Sequence, residues 1–198
     1  MSDYLKTCQS YFWTDVFNQE FEYIVNKLGD NKNVLSVGCG PAIIEKKLME
    51  AGFLVTGLDV SKEAIAGSPD DLRTIIGSAE DMDIEDSKFD AVIFVASLQF
   101  ITDYKKAISE ASRVLKDRGL ILVMLLNPES EFYNENIKDP DSYMRKTKHF
   151  DNSSIYNEIS KYFESSAEYF LGIKDSKTFT SSDPKLASLY VINGSKRN

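Results

Sequence analysis

The chain has 198 residues, a length that suits one domain with a substantial core, since domains usually run to roughly 100–200 residues. Lys and Arg number 23 against 31 Asp and Glu, a formal charge of −8 at pH 7, and so acidic a surface repels phosphate backbones and argues against a nucleic-acid partner. No run reaches the roughly 18–20 consecutive apolar residues of a membrane-spanning helix, the start MSDYLKTCQS lacks a signal peptide's basic and apolar regions, and Cys8 and Cys39 have neither zinc-ligand spacing nor the density of a disulfide framework. The expectation is a cytoplasmic protein with no membrane partner and no metal site.

In chain order, Trp13, Phe17, Phe21, Ile24 and Leu28 make one apolar stripe at helical spacing, closed by Gly29, which predicts an N-terminal helical cap within residues 1–30. Short runs rich in Val, Ile and Leu follow at 34–37, 53–58, 73–76, 89–95 and 120–126. Between them, helices are predicted over 42–50, ending at Gly52, and as a short turn over 61–66, cut off by Gly67-Ser68-Pro69. A third helix, capped by Thr102, carries Tyr104, Ile108, Ala111 and Leu115 on one side and stops at Gly119. The stretch AEDMDIEDSK shows no helical stripe. Near-continuous apolar strands alternating with helices predict an α/β fold, a doubly wound parallel sheet covered on both faces.

After Asn127 a polar connection dotted with aromatics runs to residue 150, long enough to be functional or to conceal a helix. A helix with Ile155, Ile159 and Tyr162 on one face follows, and then two β-like runs, 167–173 and 189–192. Residues 1–198 therefore form a single domain, with 127–150 as an insertion on the substrate side.

In an open parallel sheet the ligand crevice lies beyond the carboxyl ends of the strands, which directs attention to Gly38-Cys39-Gly40-Pro41 after the first run. Glycines let the backbone bend sharply and approach a ligand, and Pro41 suits the first turn of a helix whose exposed N–H groups can meet an anion. A tight strand-to-helix turn explains the same residues. Asp59, 19 residues past Gly40 and closing the next run, separates the two readings, because a carboxylate there can accept both hydroxyl protons of an adenosine ribose. A dinucleotide site would place a third glycine where Ile43 stands, and that side chain argues against an NAD-dependent oxidoreductase.

The pattern resembles the class I S-adenosylmethionine-dependent methyltransferases of small-molecule type. Their first motif, acid-x-Gly-x-Gly-x-Gly, is met by Ser36, Gly38, Gly40 and Ala42, and the likeness covers residues 33–126. GLDVS, with Asp59 and Val60, is similar to the ribose segment, GSAEDM to the adenine segment, and FDAVIFVASLQFI to the fourth strand. The resemblance implies a Rossmann-like seven-stranded sheet, mostly parallel with an antiparallel last strand, and S-adenosylmethionine as cofactor. It further implies that Ser36, Gly38, Cys39 and Gly40 lie against the methionine part and that Ser78, Ala79 and Glu80 line the adenine. Val95 and Ala96 would border the sulfonium.

Three departures stand out. Ser36 and Ser78 replace acids and supply no charge, which weakens cofactor affinity because charge-assisted bonds are about twice as strong as neutral ones. Glu80 can compensate at the adenine end. Ala42 replaces the third glycine, a mild change if the helix has begun there.

Methyl transfer from a sulfonium is an in-line displacement that placement and water exclusion can largely accelerate, so no catalytic residue is named from the sequence. Substrate-side candidates are Tyr11, Gln99, Asn127, Tyr133 and His149, the last being the sole histidine and a possible base. The expected partner is a small-molecule methyl acceptor. A module that binds S-adenosylmethionine or S-adenosylhomocysteine without turnover is the alternative. Nothing in the chain speaks to its oligomeric state.

Overall fold

The structure, a computed structural model, describes residues 11–197. Cys8 and the Tyr11 side chain lie outside what is described. Helix α1 (Tyr11–Leu28) precedes β1 (Asn33–Val37), α2 (Ile43–Glu50), β2 (Leu54–Asp59), the short α3 (Lys62–Ile65) and β3 (Arg73–Ile76). Then come β4 (Phe89–Val95), a 3-10 turn at Leu98–Phe100, α4 (Tyr104–Val114) and β5 (Leu115–Leu126). The connection contains α5 (Glu131–Asn136) and a second 3-10 turn at Tyr143–Lys146, and the chain ends with α6 (Asn152–Tyr162), β6 (Phe163–Lys174), β7 (Lys177–Phe179) and β8 (Ala187–Lys196).

The strands form one sheet in the order β3-β2-β1-β4-β5-β8-β6-β7. The first five pair in parallel and β8 runs antiparallel between β5 and β6. Side chains of a strand alternate between faces, and the two cores divide accordingly. Val34, Ala91 and Ile93 pack with Ile24, Leu28, Ile44 and Leu48 of α1 and α2, whereas Leu35, Val92 and Phe94 pack with Ile108, Ala111, Ile155 and Ile159 of α4 and α6.

The sheet has eight strands rather than seven. The extra one is a three-residue edge strand, hairpin-paired to β6 through Asp175 and Ser176, whose φ values of 50° and 55° are those of a type I′ turn. Phe179 of this strand lies over Gly172, where a Cβ would come within 2.3 Å of the ring. Two helix boundaries also differ from expectation. Asp103, not Thr102, caps α4, its side chain accepting from the Lys106 N–H, and α4 ends at Val114 because Leu115 already pairs with Phe89. Residues 116–118 are exposed outside that ladder, which resumes at Leu120.

Candidate functional site

Every loop singled out above follows the carboxyl end of a parallel strand, so the topology gathers them along one edge of the sheet. The turn after β1 is tied to the end of β2: Gly38 and Cys39 N–H both donate to the Leu58 carbonyl, at 2.7 and 3.3 Å. Gly38 has φ +74°, and a Cβ on it would lie 2.5 Å from Ser97 Cβ, so the close approach of the β4 loop requires glycine. Gly40 has φ +53° and nothing within 4 Å of where its Cβ would be, so it faces open space.

The Asp59 carboxylate is held from two sides. Gly40 N–H donates to Oδ2 and Ser61 N–H to Oδ1, each at 2.8 Å, which leaves each oxygen a further lone pair for a ligand. Pro41 and Ala42 depart from expectation. Pro41 lies ahead of α2 instead of in its first turn. Ala42 is the N-cap residue, in the left-handed region at φ 60°, ψ 44°, so the helix has not begun there and the alanine occupies a backbone state that glycine would adopt more cheaply.

A carboxyl group reaches position 36 from α2. Ser36 is buried at 1% exposure on the α1–α2 face, and its hydroxyl donates to Glu45 Oε1 at 2.5 Å. Burial pushes the Glu45 carboxyl up to about 7, and the Ser36 bond opposes that rise. Glu20 of α1, equally buried, is pushed up to about 8, first by burial and then by the charge of Glu45. Cys39 turns its thiol toward Gly57, where a Cβ would come within 2.7 Å of the sulfur. Burial, then Glu45 and Asp59, push that thiol up to about 12, so it is no nucleophile and only its backbone is on offer.

At the other end of the crevice, Ser78 Oγ accepts the Glu80 N–H at 3.1 Å and Ala79 is buried against the core. Glu80 uses Oε1 to accept the Asp103 N–H at 2.8 Å, and so also holds the start of α4. Val60 and Ile76, at the ends of β2 and β3, are 77% and 56% exposed, an apolar surface beside Asp59. A groove lined by Lys46, Met49, Phe53, Leu54, Asp71 and Arg73 lies at the opposite, amino ends of these strands and takes no part in the crevice.

On the substrate side, Val95 and Ala96 are half-buried, Ala96 has φ 45°, and Ser97 Oγ donates to the Val37 carbonyl at 2.6 Å, locking the β4 loop against the glycine turn. Gln99 is 1% exposed and its Oε1 accepts the Leu126 N–H at 2.8 Å. The other described candidates have their polar atoms engaged within the protein. Asn127 is 1% exposed and spends its amide on the Pro184 and Ala187 carbonyls and the Glu129 N–H. Tyr133 is buried, with its hydroxyl 3.3 Å from the Met144 carbonyl.

His149 Nε2 lies 2.9 Å from the Ile101 carbonyl and 3.2 Å from that of Thr102. Carbonyls only accept, so this nitrogen carries the hydrogen and ties the connection to the β4 loop. Tyr143, which no periodicity marks, packs its ring on Phe100 of the β4 loop at 4.6 Å between centroids. Burial first, and then the Asp59 charge, raise its phenol pKa. Glu45 reaches Ser36 through a fold contact that a one-dimensional reading misses.

Residues 35–123 match the methyltransferase domain family. The chain is 27% identical over 119 residues to a sterol 4-C-methyltransferase from Caenorhabditis elegans, covering 56% of this chain and 36% of that protein. It is 30% identical over 112 residues to a ubiquinone biosynthesis O-methyltransferase from Chromobacterium violaceum, covering 52% of this chain and 47% of the relative. The chain thus spans less than half the length of either. In fold it is similar to a SAM-dependent methyltransferase from Archaeoglobus fulgidus, with a TM-score of 0.80 at 13% identity, over 98% of this chain and 100% of the other. The family match lies on the strands and turns that build the crevice, so this part of the chain is similar to the methyltransferase domain family.

Proposed function

We propose that this protein transfers the methyl group of S-adenosylmethionine to a small-molecule acceptor. One observation carries the reading: the Asp59 carboxylate, fixed by the N–H groups of Gly40 and Ser61, stands beside a glycine turn that opens onto free space. The remaining lone pairs of Asp59 suit the two hydroxyls of a ribose, Val60 and Ile76 offer apolar surface to an adenine, and the turn at Gly38–Gly40 leaves room for the methionine part. The bound cofactor supplies a methyl group on a positively charged sulfur, which an acceptor lone pair displaces in line.

The chain's own part is placement and exclusion of water. Tyr143 of the connection packs on Phe100 of the β4 loop, a ring pair that we take to shield the crevice, with Val95 and Ala96 at its border on the β4 side. An acceptor that arrives ionised needs no base, which fits a site whose single histidine is engaged with backbone carbonyls. The formal charge of −8 favours a small acceptor over nucleic acid.

Titration calorimetry with S-adenosylmethionine and S-adenosylhomocysteine, on the wild-type protein and Asp59→Ala, tests the reading. Loss of the charge-assisted bonds is expected to weaken both ligands by about 2–3 kcal/mol, roughly 30–150-fold. A turnover assay on hydroxyl, carboxylate and amine acceptors follows. Tight binding of both forms with no turnover would favour a module that only holds the cofactor, and no binding at all would dismiss both readings.

A further inference from the structure

At the end of β5 a group of buried polar atoms is left unpartnered. Gln99 Nε2, Thr147 Oγ1 and Asn152 Oδ1 are buried and meet no hydrogen-bond partner among the described residues. Gln99 and Thr147 are only 1% and 6% exposed. The three belong to one place. β4 pairs with β5 only as far as Val95 and Met124, and beyond that point two side-chain amides take up the Leu126 backbone. Leu126 N–H donates to Gln99 Oε1 at 2.8 Å, and Asn152 Nδ2 donates to the Leu126 carbonyl at 3.3 Å. Thr147 immediately precedes Lys148 and His149, whose N–H groups both donate to the Gln99 backbone carbonyl, at 3.0 and 3.2 Å.

The Leu126 bonds also decide which way each amide is turned. A backbone N–H can meet only the oxygen of Gln99, and a backbone carbonyl only the nitrogen of Asn152. Gln99 is therefore left with a spare donor and Asn152 with a spare acceptor, and Thr147 can act as either. Buried polar atoms are nearly always satisfied, so a cluster of three beside a ligand crevice marks a place that a ligand completes.

We infer that Gln99, Thr147 and Asn152 form an anchoring subsite for the methyl acceptor and that it takes a neutral hydroxyl group. A hydroxyl oxygen accepts from Gln99 Nε2 while its hydrogen goes to Asn152 Oδ1, and Thr147 completes the set. A carboxylate has no proton for Asn152, and an ammonium has no lone pair for Gln99. Side-chain amides do not ionise at neutral pH and cannot serve as a base, so the subsite orients the acceptor and the reacting atom lies elsewhere on it. This inference rests on the methyltransferase reading of the crevice.

The test uses the full chain with S-adenosylhomocysteine present, titrated by NMR with benzyl alcohol, benzoate and benzylamine, and crystals soaked with each. Benzyl alcohol is expected to bind at least tenfold tighter than the two charged probes, with its oxygen in hydrogen-bond range of Gln99 Nε2 and Asn152 Oδ1. Thr147→Val leaves both amide clamps intact and should weaken benzyl alcohol three- to tenfold. It should also raise the Tm of the ligand-free protein, since it removes a buried unpartnered hydroxyl. A water held by the three atoms that no probe displaces, a preference for benzoate or benzylamine, or a Thr147→Val protein with unchanged affinity would overturn the proposal. Failure of S-adenosylhomocysteine to bind would strike the methyltransferase reading instead, and the benzyl alcohol titration still reports on the subsite by itself.

Discussion

Gly38→Ala is expected to lower stability by about 3 kcal/mol and abolish cofactor binding, whereas Gly40→Ala should fold and lose mainly the cofactor. Both glycines lie at positive φ, +74° and +53°, where a Cβ costs roughly 1–2 kcal/mol in either case. The surroundings separate them. At position 38 the new methyl would lie 2.5 Å from Ser97 Cβ, and Ser97 cannot step aside without losing its 2.6 Å bond to the Val37 carbonyl, so an overpacking cost of about 1–3 kcal/mol is added. At position 40 nothing lies within 4 Å, and the methyl projects into the space assigned to the ligand. Alanine's smaller unfolded-state entropy returns roughly 0.4–1 kcal/mol at each site. Urea unfolding paired with calorimetry checks this, and a Gly38→Ala protein of wild-type stability would contradict it.

The strands most legible in the sequence are those buried on both faces. The run 89–95 coincides with β4, because a strand in the middle of an α/β sheet has few polar positions to blur its ends, and 73–76 coincides with β3 although that edge strand has no buried residue. The antiparallel side was harder to read. β6 alternates exposed and half-buried residues from Glu164 to Tyr169 and is buried at its far end only over Leu171–Ile173, so only its second half, 167–173, stands out as an apolar run. β7 is three residues long, and its turn is Asp175-Ser176, which lacks the glycine that normally announces a hairpin. The connection does conceal structure: Ser130 caps α5 and Ser142 caps the 3-10 turn, but serines are too common in loops to signal either in advance.

A similar division holds for the site. Gly38, Gly40 and Asp59 could be found because a strand-turn-helix-strand unit converts 19 residues of separation into a direct bond from the Gly40 N–H to the Asp59 carboxylate. The Ser36–Glu45 bond spans only nine residues, yet it is invisible without the face on which Ser36 points. Gln99 and Asn152 meet only on Leu126, through two turns and a helix that no motif links. His149 is a candidate base by residue type as the sole histidine, and what decides its role is the pair of carbonyls at residues 101 and 102.

Glu20→Gln is expected to remove much of a strong pH dependence of stability. Glu20 is 6% exposed, and its Oε2 meets no partner among the described residues. Folding raises its carboxyl from 4.5 to about 8, so between those values the native protein holds a proton that the unfolded chain has lost. Stability therefore falls as pH rises through that window and levels off above the folded value. The full span corresponds to on the order of 5 kcal/mol.

Glu45, raised to about 7, adds a smaller fall over its own window, because the Ser36 hydroxyl favours its charged form. Glutamine has the shape of the protonated acid and never ionises. At pH 5 the variant should match the wild type within about 1 kcal/mol, and at pH 9 it should be more stable by roughly 2–4 kcal/mol. Urea unfolding at pH 5, 7 and 9 measures both, and parallel profiles for the two proteins would mean that Glu20 ionises without cost between α1 and the sheet. Glu45→Gln should shift the profile in the same sense by less, and the double variant should gain less than the sum, since part of the cost at Glu20 comes from the charge on Glu45.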